Sequence, residues 1–235
     1  MAQESAWDRE YRKSQLLTKD NKPQADVVRF VTYLKKEKEV DINSMTVLDL
    51  GSGTGRNSYY FAELGAKVTG FEISKTAIAI GKENADNAGL HIEYKKQSIG
   101  EIFPIADSSV DIILDVTSSN SLSEQEREIY LAETHRVLRS GGYFFVKALC
   151  KDGDQNAKHL LQHSPGAEKD TYILPGIGIT ERVWTKDDFV STYEKYFTII
   201  HLEKKTSYSR MNNRSYKRNF WLAYMKKIES IFRRY

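Results

Sequence analysis

Along this 235-residue chain the spacing of apolar positions changes repeatedly. Short runs rich in β-branched and aromatic residues alternate with longer runs whose apolar positions recur every three or four residues. That alternation predicts parallel strands joined by crossover helices. Five runs read as strands: Thr46–Leu50 (TVLDL), Lys67–Glu72 (KVTGFE), Ile92–Lys96 (IEYKK), 110–115 (VDIILD) and 143–148 (YFFVKA). Between them, 56–64, 75–88 and 123–138 read as helices. In the last, Ile129, Ala132, Val137 and Leu138, with Leu131 and His135 beside them, build an apolar stripe that Gly141 and Gly142 bring to a stop. Ser123, with Glu126 three residues on, forms a capping box at its start. Upstream, Val27, Val28, Val31 and Leu34 give 24–38 one apolar side behind Pro23, so a further helix is expected to cover the sheet.

The pattern fails over 151–180, where Gly153, Pro165, Gly166, Pro175, Gly176 and Gly178 punctuate the chain. A loop of this length in a compact fold is expected to be functional. Thr185, followed by Asp187 and Asp188, predicts a short helix with an N-cap and an acidic first turn. The runs 197–202 and 220–225 then read as two closing strands joined by the basic segment 204–219. With no crossover helix between them, they should pair antiparallel. The expected organisation is one domain over 1–235: an N-terminal helical cap (1–43), a core (44–150), a lid loop (151–180), and a closing helix and strands with a basic arm (181–235).

Composition narrows the class. Hydrophobic residues make up 40% and there are 14 glycines, the balance of a soluble globular chain rather than a collagen, a coiled coil or a disordered segment. Apolar runs such as 143–146 fall far short of the roughly 18 residues that cross a bilayer. The polar N-terminal stretch lacks the apolar run of a secretory signal, so a cytoplasmic protein is expected. The lone Cys150 excludes an intrachain disulfide, reads as a small residue ending a buried strand, and with the His spacing gives no metal site. The net charge of +3 hides an asymmetry: residues 203–235 carry ten Lys and Arg against two Glu, so residues 1–202 are net acidic. Such a basic end suits nucleic acid, anionic lipid or an acidic small molecule, and equally a solvated hairpin whose Lys and Arg protect an edge strand.

The strongest chemical signal is the run from Val47 to Gly55 (VLDLGSGTG), a strand entering a glycine-rich turn that opens a helix. Gly51 and Gly53 let the backbone turn sharply and approach a ligand, and the helix that follows points its free N–H groups at the same place. Glu72 ends the next strand, where a carboxylate can accept both hydroxyls of a ribose. Dinucleotides and S-adenosylmethionine both fit that pairing. A dinucleotide loop wants Gly where Arg56 stands, and Asp49 would repel a pyrophosphate but favour a sulfonium and an ammonium.

In DLGSGTGRN (49–57), FEIS (71–74), DSSVDIILD (107–115) and HRVLRSGGYFFV (135–146), the chain resembles the class I S-adenosylmethionine-dependent methyltransferases. The GRNS at 55–58 looks most like the small-molecule, tellurite-resistance type. The resemblance implies a Rossmann-like α/β fold: a seven-stranded, mostly parallel sheet in the order 3-2-1-4-5-7-6, helices on both faces, and the last strand antiparallel. It implies that Asp49, Gly51, Ser52 and Gly53 line the methionine half of the cofactor, that Glu72 holds the ribose and that Ile73 packs on the adenine. Where the family often has an Asp for the adenine amino group, this chain has Ser98 and Ile99. Asp115 would lie near the methionine amino group and the acceptor entrance.

Methyl transfer from a cationic sulfur needs positioning more than catalysis, and a base only when the acceptor keeps its proton. Acceptor contacts are expected from Trp7 and Tyr11, from 117–120, from the 151–180 loop and from 208–216. Tyr11 and the i,i+4 pair His159 and His163 are the candidate catalytic residues. His135, Trp184 and Trp221 read as packing residues. Three functions follow: a methyltransferase of small molecules, which releases S-adenosylhomocysteine; a nucleic-acid methyltransferase using the basic arm; or a cofactor-binding subunit active only with a partner.

Overall fold

The computed structural model describes residues 3–13, 22–211 and 214–228. Seven of its strands form one sheet: β1 (Thr46–Leu50), β2 (Lys67–Glu72), β3 (Ile92–Lys96), β4 (Val110–Val116), β5 (Leu138–Leu149), β8 (Phe197–Met211) and β9 (Arg214–Lys227), in the order β3-β2-β1-β4-β5-β9-β8. β1 to β5 pair parallel, and β9 runs antiparallel to both β5 and β8, as the absence of a crossover helix required. Side chains alternate between the sheet's two faces. Val47, Phe145, Leu149 and Leu222 join Phe30, Phe61, Ile78 and Leu160 in one core. These come from α2 (Ala25–Glu37), α3 (Arg56–Glu63), α4 (Lys75–Asn87) and α6 (Gln155–His163). Leu48, Ile113, Phe144, Val146 and Ala223 join Tyr130, Leu131, Phe189 and Tyr193 in the other, from α5 (Glu124–Val137) and α7 (Lys186–Tyr193).

The capping box is formed: Ser123 Oγ accepts from the Glu126 N–H at 3.3 Å, and the Glu126 carboxylate accepts from the Ser123 N–H at 2.9 Å. Ser123→Ala is expected to cost about 1 kcal/mol, a fall in Tm of about 2–4 °C in a thermal melt.

Three expectations are corrected. The helix before β5 stops at Val137, ahead of the two glycines. Leu138 already pairs with Val110, and the ladder slips before resuming at Ile112 with Tyr143, so Gly141 (φ +73°) serves that irregularity instead of a helix cap. The segment 151–180 is not a bare loop. It holds α6, whose N-cap Asp154 accepts from the Ala157 N–H, and β6 (Thr171–Ile173), paired antiparallel with β7 (Thr180–Arg182); its prolines and glycines fall in the turns between them. The basic segment 204–219 is mostly strand. β5 ends at Leu149 opposite Phe220, while β8 and β9 stay paired as far as Met211 and Arg214. A two-stranded ribbon therefore continues past β5, about 20 Å at ~3.3 Å per residue. Because β9 is antiparallel, it rises on the side where β1 and β4 end.

Among the described residues no helix is long and apolar enough to cross a membrane.

Candidate functional site

The site is built where β1 and β2 end. Gly51 and Gly53 have φ of +68° and +57°, a region that residues with a Cβ avoid. A Cβ on Gly51 would collide with Ser118, and one on Gly53 would sit 2.5 Å from the Tyr11 hydroxyl, so both faces of the turn are closely covered. The Ser52 N–H donates to the Phe71 carbonyl, tying the turn to β2. Glu72, buried at the end of β2, accepts from the Gly53 N–H at 2.9 Å and from the Ser74 N–H at 2.8 Å. Burial pushes its carboxyl above the usual range, against the pull of those N–H groups. Asp49, also buried, accepts from the Ser58 hydroxyl at 2.6 Å. Burial, with Asp115 nearby, raises its pKa to about 6.

The remaining cofactor candidates surround this centre. Ile73 is half-buried beyond Glu72, and Ile99 is buried in the second core. Ser98 is buried, its hydroxyl accepting from the Gly100 N–H at 3.2 Å. The Gln97 N–H donates to the Glu72 carbonyl, so the end of β3 is fastened to the end of β2. Asp115 is fully enclosed. One oxygen accepts from the Ser118 N–H and hydroxyl and from the Ser119 N–H, and the other from the Tyr130 hydroxyl at 2.6 Å. The same Ser118 hydroxyl lies against the Leu50 carbonyl. Asp115 thus shapes the 3-10 turn Ser119–Ser121 and couples it, through Ser118, to Gly51.

A short helix, α1 (Glu4–Arg12), lies across the top. At one end the Gln3 amide donates to the carbonyls of Ser121 (2.5 Å) and Thr180 (3.1 Å) and accepts from the Thr180 N–H (2.7 Å). The first residue of α1, Glu4, pairs with Lys96 at 2.6 Å, and in its middle Asp8 accepts from the Ser74 hydroxyl and the Thr76 N–H. At the other end Tyr11 stands over Gly53, with the Trp7 ring 6.4 Å away. Burial, and then Glu72, pushes the Tyr11 phenol well up. Behind it, Asn57 accepts from the Gln24 N–H, and the buried Lys147 donates to Gln24 and Asp26 at 3.0 and 2.8 Å. Gln3, Asp8, Asn57 and Lys147 were missed in the sequence because each meets partners far away in the chain.

Other candidates stand apart. His159 and His163 stack at 4.1 Å on the exposed side of α6, while Ala157 and Leu160 face inward; the His163 ring nitrogen lies 2.9 Å from the His159 carbonyl. Of 117–120, Asn120 is buried and ties Thr117 to Leu149. Tyr208 is exposed on the ribbon and Tyr216 partly so; residues 212–213 of the expected 208–216 contact segment lie outside the described residues. Trp184, Trp221 and His135 are packing residues: the Trp221 indole donates to the Trp184 carbonyl, and His135 lies against Tyr196 and Phe197. The buried Cys150 thiol is pushed up to about 12 by burial. Among the described residues no cluster of three or more His, Cys, Asp or Glu could hold a metal ion.

Residues 48–146 match the sequence profile of the family described as a methyltransferase domain. The arsenite methyltransferase of Halobacterium salinarum is 37% identical over 101 residues, 41% of this chain and 25% of that protein. A ubiquinone biosynthesis O-methyltransferase of Coxiella burnetii is 30% identical over 139 residues, 59% of this chain and 56% of that protein. The chain therefore spans from a quarter to just over half the length of these curated relatives. A solved structure of similar fold is the Burkholderia thailandensis 1,6-didemethyltoxoflavin-N1-methyltransferase with 1,6-didemethyltoxoflavin and S-adenosylhomocysteine bound. It superposes with a TM-score of 0.70 at 17% identity, over 96% of this chain and 87% of that one.

Proposed function

We propose that the chain is a class I S-adenosylmethionine-dependent methyltransferase that transfers the methyl group to a small-molecule acceptor by in-line displacement, a reading supported by the methyltransferase-domain match over residues 48–146. The observation that carries the reading is the cap: α1 is fastened by Gln3 at its start and by Asp8 at its middle, with Tyr11 over the glycine turn, which suits a site that closes around a small acceptor and excludes water.

The residues present fit the cofactor. The turn has the left-handed glycines that let backbone approach a ligand, and Glu72 is fixed at the end of β2 by two backbone N–H groups. In this reading Glu72 holds the ribose hydroxyls, Asp49 favours the cationic methionine end, and Ile73, Ser98 and Ile99 border the adenine. The sulfonium brings its own activation as a leaving group. Tyr11, held over Gly53, positions the methionine end and shields it from water. Asp115, by ordering the turn Ser119–Ser121, sets the wall past which the acceptor approaches. Turnover of a panel of phenols, amines, thiols and arsenite with radiolabelled S-adenosylmethionine tests the reading; tight cofactor binding with no turnover of any class counts against it.

Asp49 adds a pH dependence. Its pKa of about 6 means that below pH 6 it takes up a proton and loses its attraction for a cation. Affinity for S-adenosylmethionine is expected to be flat above about pH 7 and to fall by up to about tenfold per pH unit below 6. Folding stability moves the other way. A carboxyl raised above its unfolded value of 3.8 makes the native state bind the extra proton, so this group's contribution becomes more favourable as pH falls from about 6 to 4. Calorimetry at pH 5 and pH 7.5 checks the first, and an unchanged affinity would remove Asp49 from the cation site.

A second reading draws on the ribbon beyond β5, where Lys217 stands directly opposite the exposed Tyr208. It makes the acceptor a nucleic acid held by phosphate contacts and stacking. RNA affinity that falls steeply with salt would favour it, and no RNA binding at low salt would remove it.

A further inference from the structure

Two cations lie beneath the turn Ser119–Ser121 with no part in holding the cofactor. Arg127, in the first turn of α5, is 3% exposed, and Arg182, at the end of β7, is 7% exposed. Their guanidinium carbons stand 5.1 and 4.1 Å from the centre of the same Trp184 ring. One Arg127 nitrogen donates to the Leu122 carbonyl at 2.7 Å. Its Nε and Nη1, the Arg182 Nε and the Trp184 Nε1 have no hydrogen-bond partner among the described residues, and neither do the hydroxyls of Ser119 and Ser121.

Glu168 acts on Arg127 and Glu124 and Asp188 act on Arg182, but none of these carboxylates meets the open donors in a hydrogen bond. Glu124 is 3.9 Å from Arg182 Nη1 and 73% exposed, so solvent screens it. Glu168 turns both carboxylate oxygens to the Glu124 N–H at 3.0 Å. Burial, and then the charge of Arg182, pushes the Arg127 pKa below its ordinary value. Buried like charges with open donors are costly unless an anion meets them, and a guanidinium fork matches a carboxylate or phosphate in geometry.

The position matters as much as the charge. The turn that covers the pair meets Gly51 through Ser118 on one side and hands the Leu122 carbonyl to Arg127 on the other. Gln3 joins the same turn to β7, one residue from Glu181 and two from Arg182. A small ligand anchored here would extend toward the glycine turn.

We propose that Arg127 and Arg182 form an oxyanion-binding site that anchors a carboxylate or phosphate group of the methyl acceptor. The acceptor's identity rests on the small-molecule reading above; the site itself does not.

The test titrates the full chain, with and without S-adenosylhomocysteine, with benzoate and with inorganic phosphate at low salt, following heat and tryptophan emission. Arg127→Met, Arg182→Met and Arg182→Lys are measured alongside. At least one oxyanion should bind the unmodified protein, and each Met substitution should weaken that binding about 30-fold or more with S-adenosylhomocysteine affinity unchanged, which also reports an intact fold. Binding of benzoate alone identifies a carboxylate-bearing acceptor, and of phosphate alone a phosphorylated one. If a Met variant fails to fold, Arg182→Lys carries the comparison, with oxyanion binding expected to weaken about tenfold because Lys lacks the planar fork. No binding of either oxyanion by the unmodified protein, or equal binding by the substituted ones, overturns the site. Oxyanion binding without S-adenosylhomocysteine binding leaves the site standing and removes the cofactor reading.

Discussion

Glu72→Ala is expected to weaken binding of S-adenosylhomocysteine by about a thousandfold, because a buried carboxylate accepting from two ribose hydroxyls contributes about 1.5–3 kcal/mol per bond. The same carboxylate fastens the Gly53 and Ser74 N–H groups, so its loss also frees the glycine turn from the start of α4. Glu72→Gln separates these effects. It keeps one oxygen acceptor in the same volume and is expected to retain most of the fold while losing the charge-assisted part of the affinity. Calorimetric titration with S-adenosylmethionine, S-adenosylhomocysteine and NAD reads all three. Unchanged affinity for the sulfur cofactors in Glu72→Ala would remove Glu72 from the ribose site, and NAD binding would mean that Arg56, standing where a dinucleotide loop wants Gly, had been misread.

That prediction was accessible from sequence because Glu72 belongs to a local pattern. A strand buried on both faces, a glycine turn and an acid ending the next strand follow from backbone sterics and alternation, which one sequence displays directly. The ends of β1, β2 and β3 matched for the same reason: their runs are bounded by polar or glycine residues where the sheet stops. The length of β8 and β9 was hidden because what 204–219 buries at its base is polar, Arg218 and Asn219. Its residues alternate without an apolar side, so periodicity has nothing to report. The helix α6 was hidden by punctuation; its two inward residues, Ala157 and Leu160, are too few to stand out between glycines and prolines. The clamp made by Gln3, the Asp8 contact with Ser74 and the meeting of Arg127 with Arg182 at Trp184 are tertiary, and no local spacing signals them.

The same distinction bears on Arg218, which the sequence count placed in a solvated basic arm. It is buried, donating to Asp154 at 3.0 Å and to the Tyr172 hydroxyl at 2.9 Å, and Tyr172 donates to Glu181 at 2.8 Å. Asp154 also accepts from the Asn219 N–H and caps α6. One guanidinium therefore joins the base of the ribbon to α6, β6 and β7, and its pKa is held above the ordinary value by Tyr172, Glu181 and Asp154 against burial. Arg218→Met keeps most of the volume but leaves the Asp154 and Glu181 carboxylates without their cation, a loss of about 3–5 kcal/mol. At this chain length a thermal melt should show a fall in Tm of about 6–15 °C. Because the network lies outside the glycine turn, S-adenosylhomocysteine affinity below the melt should be nearly unchanged, while Asp154→Asn, which retains the α6 cap oxygen, should cost less. A Tm equal to that of the unmodified protein would show that the segment 151–182 docks on apolar contacts alone, with Leu160, Tyr172 and Ile179 sufficient to hold it.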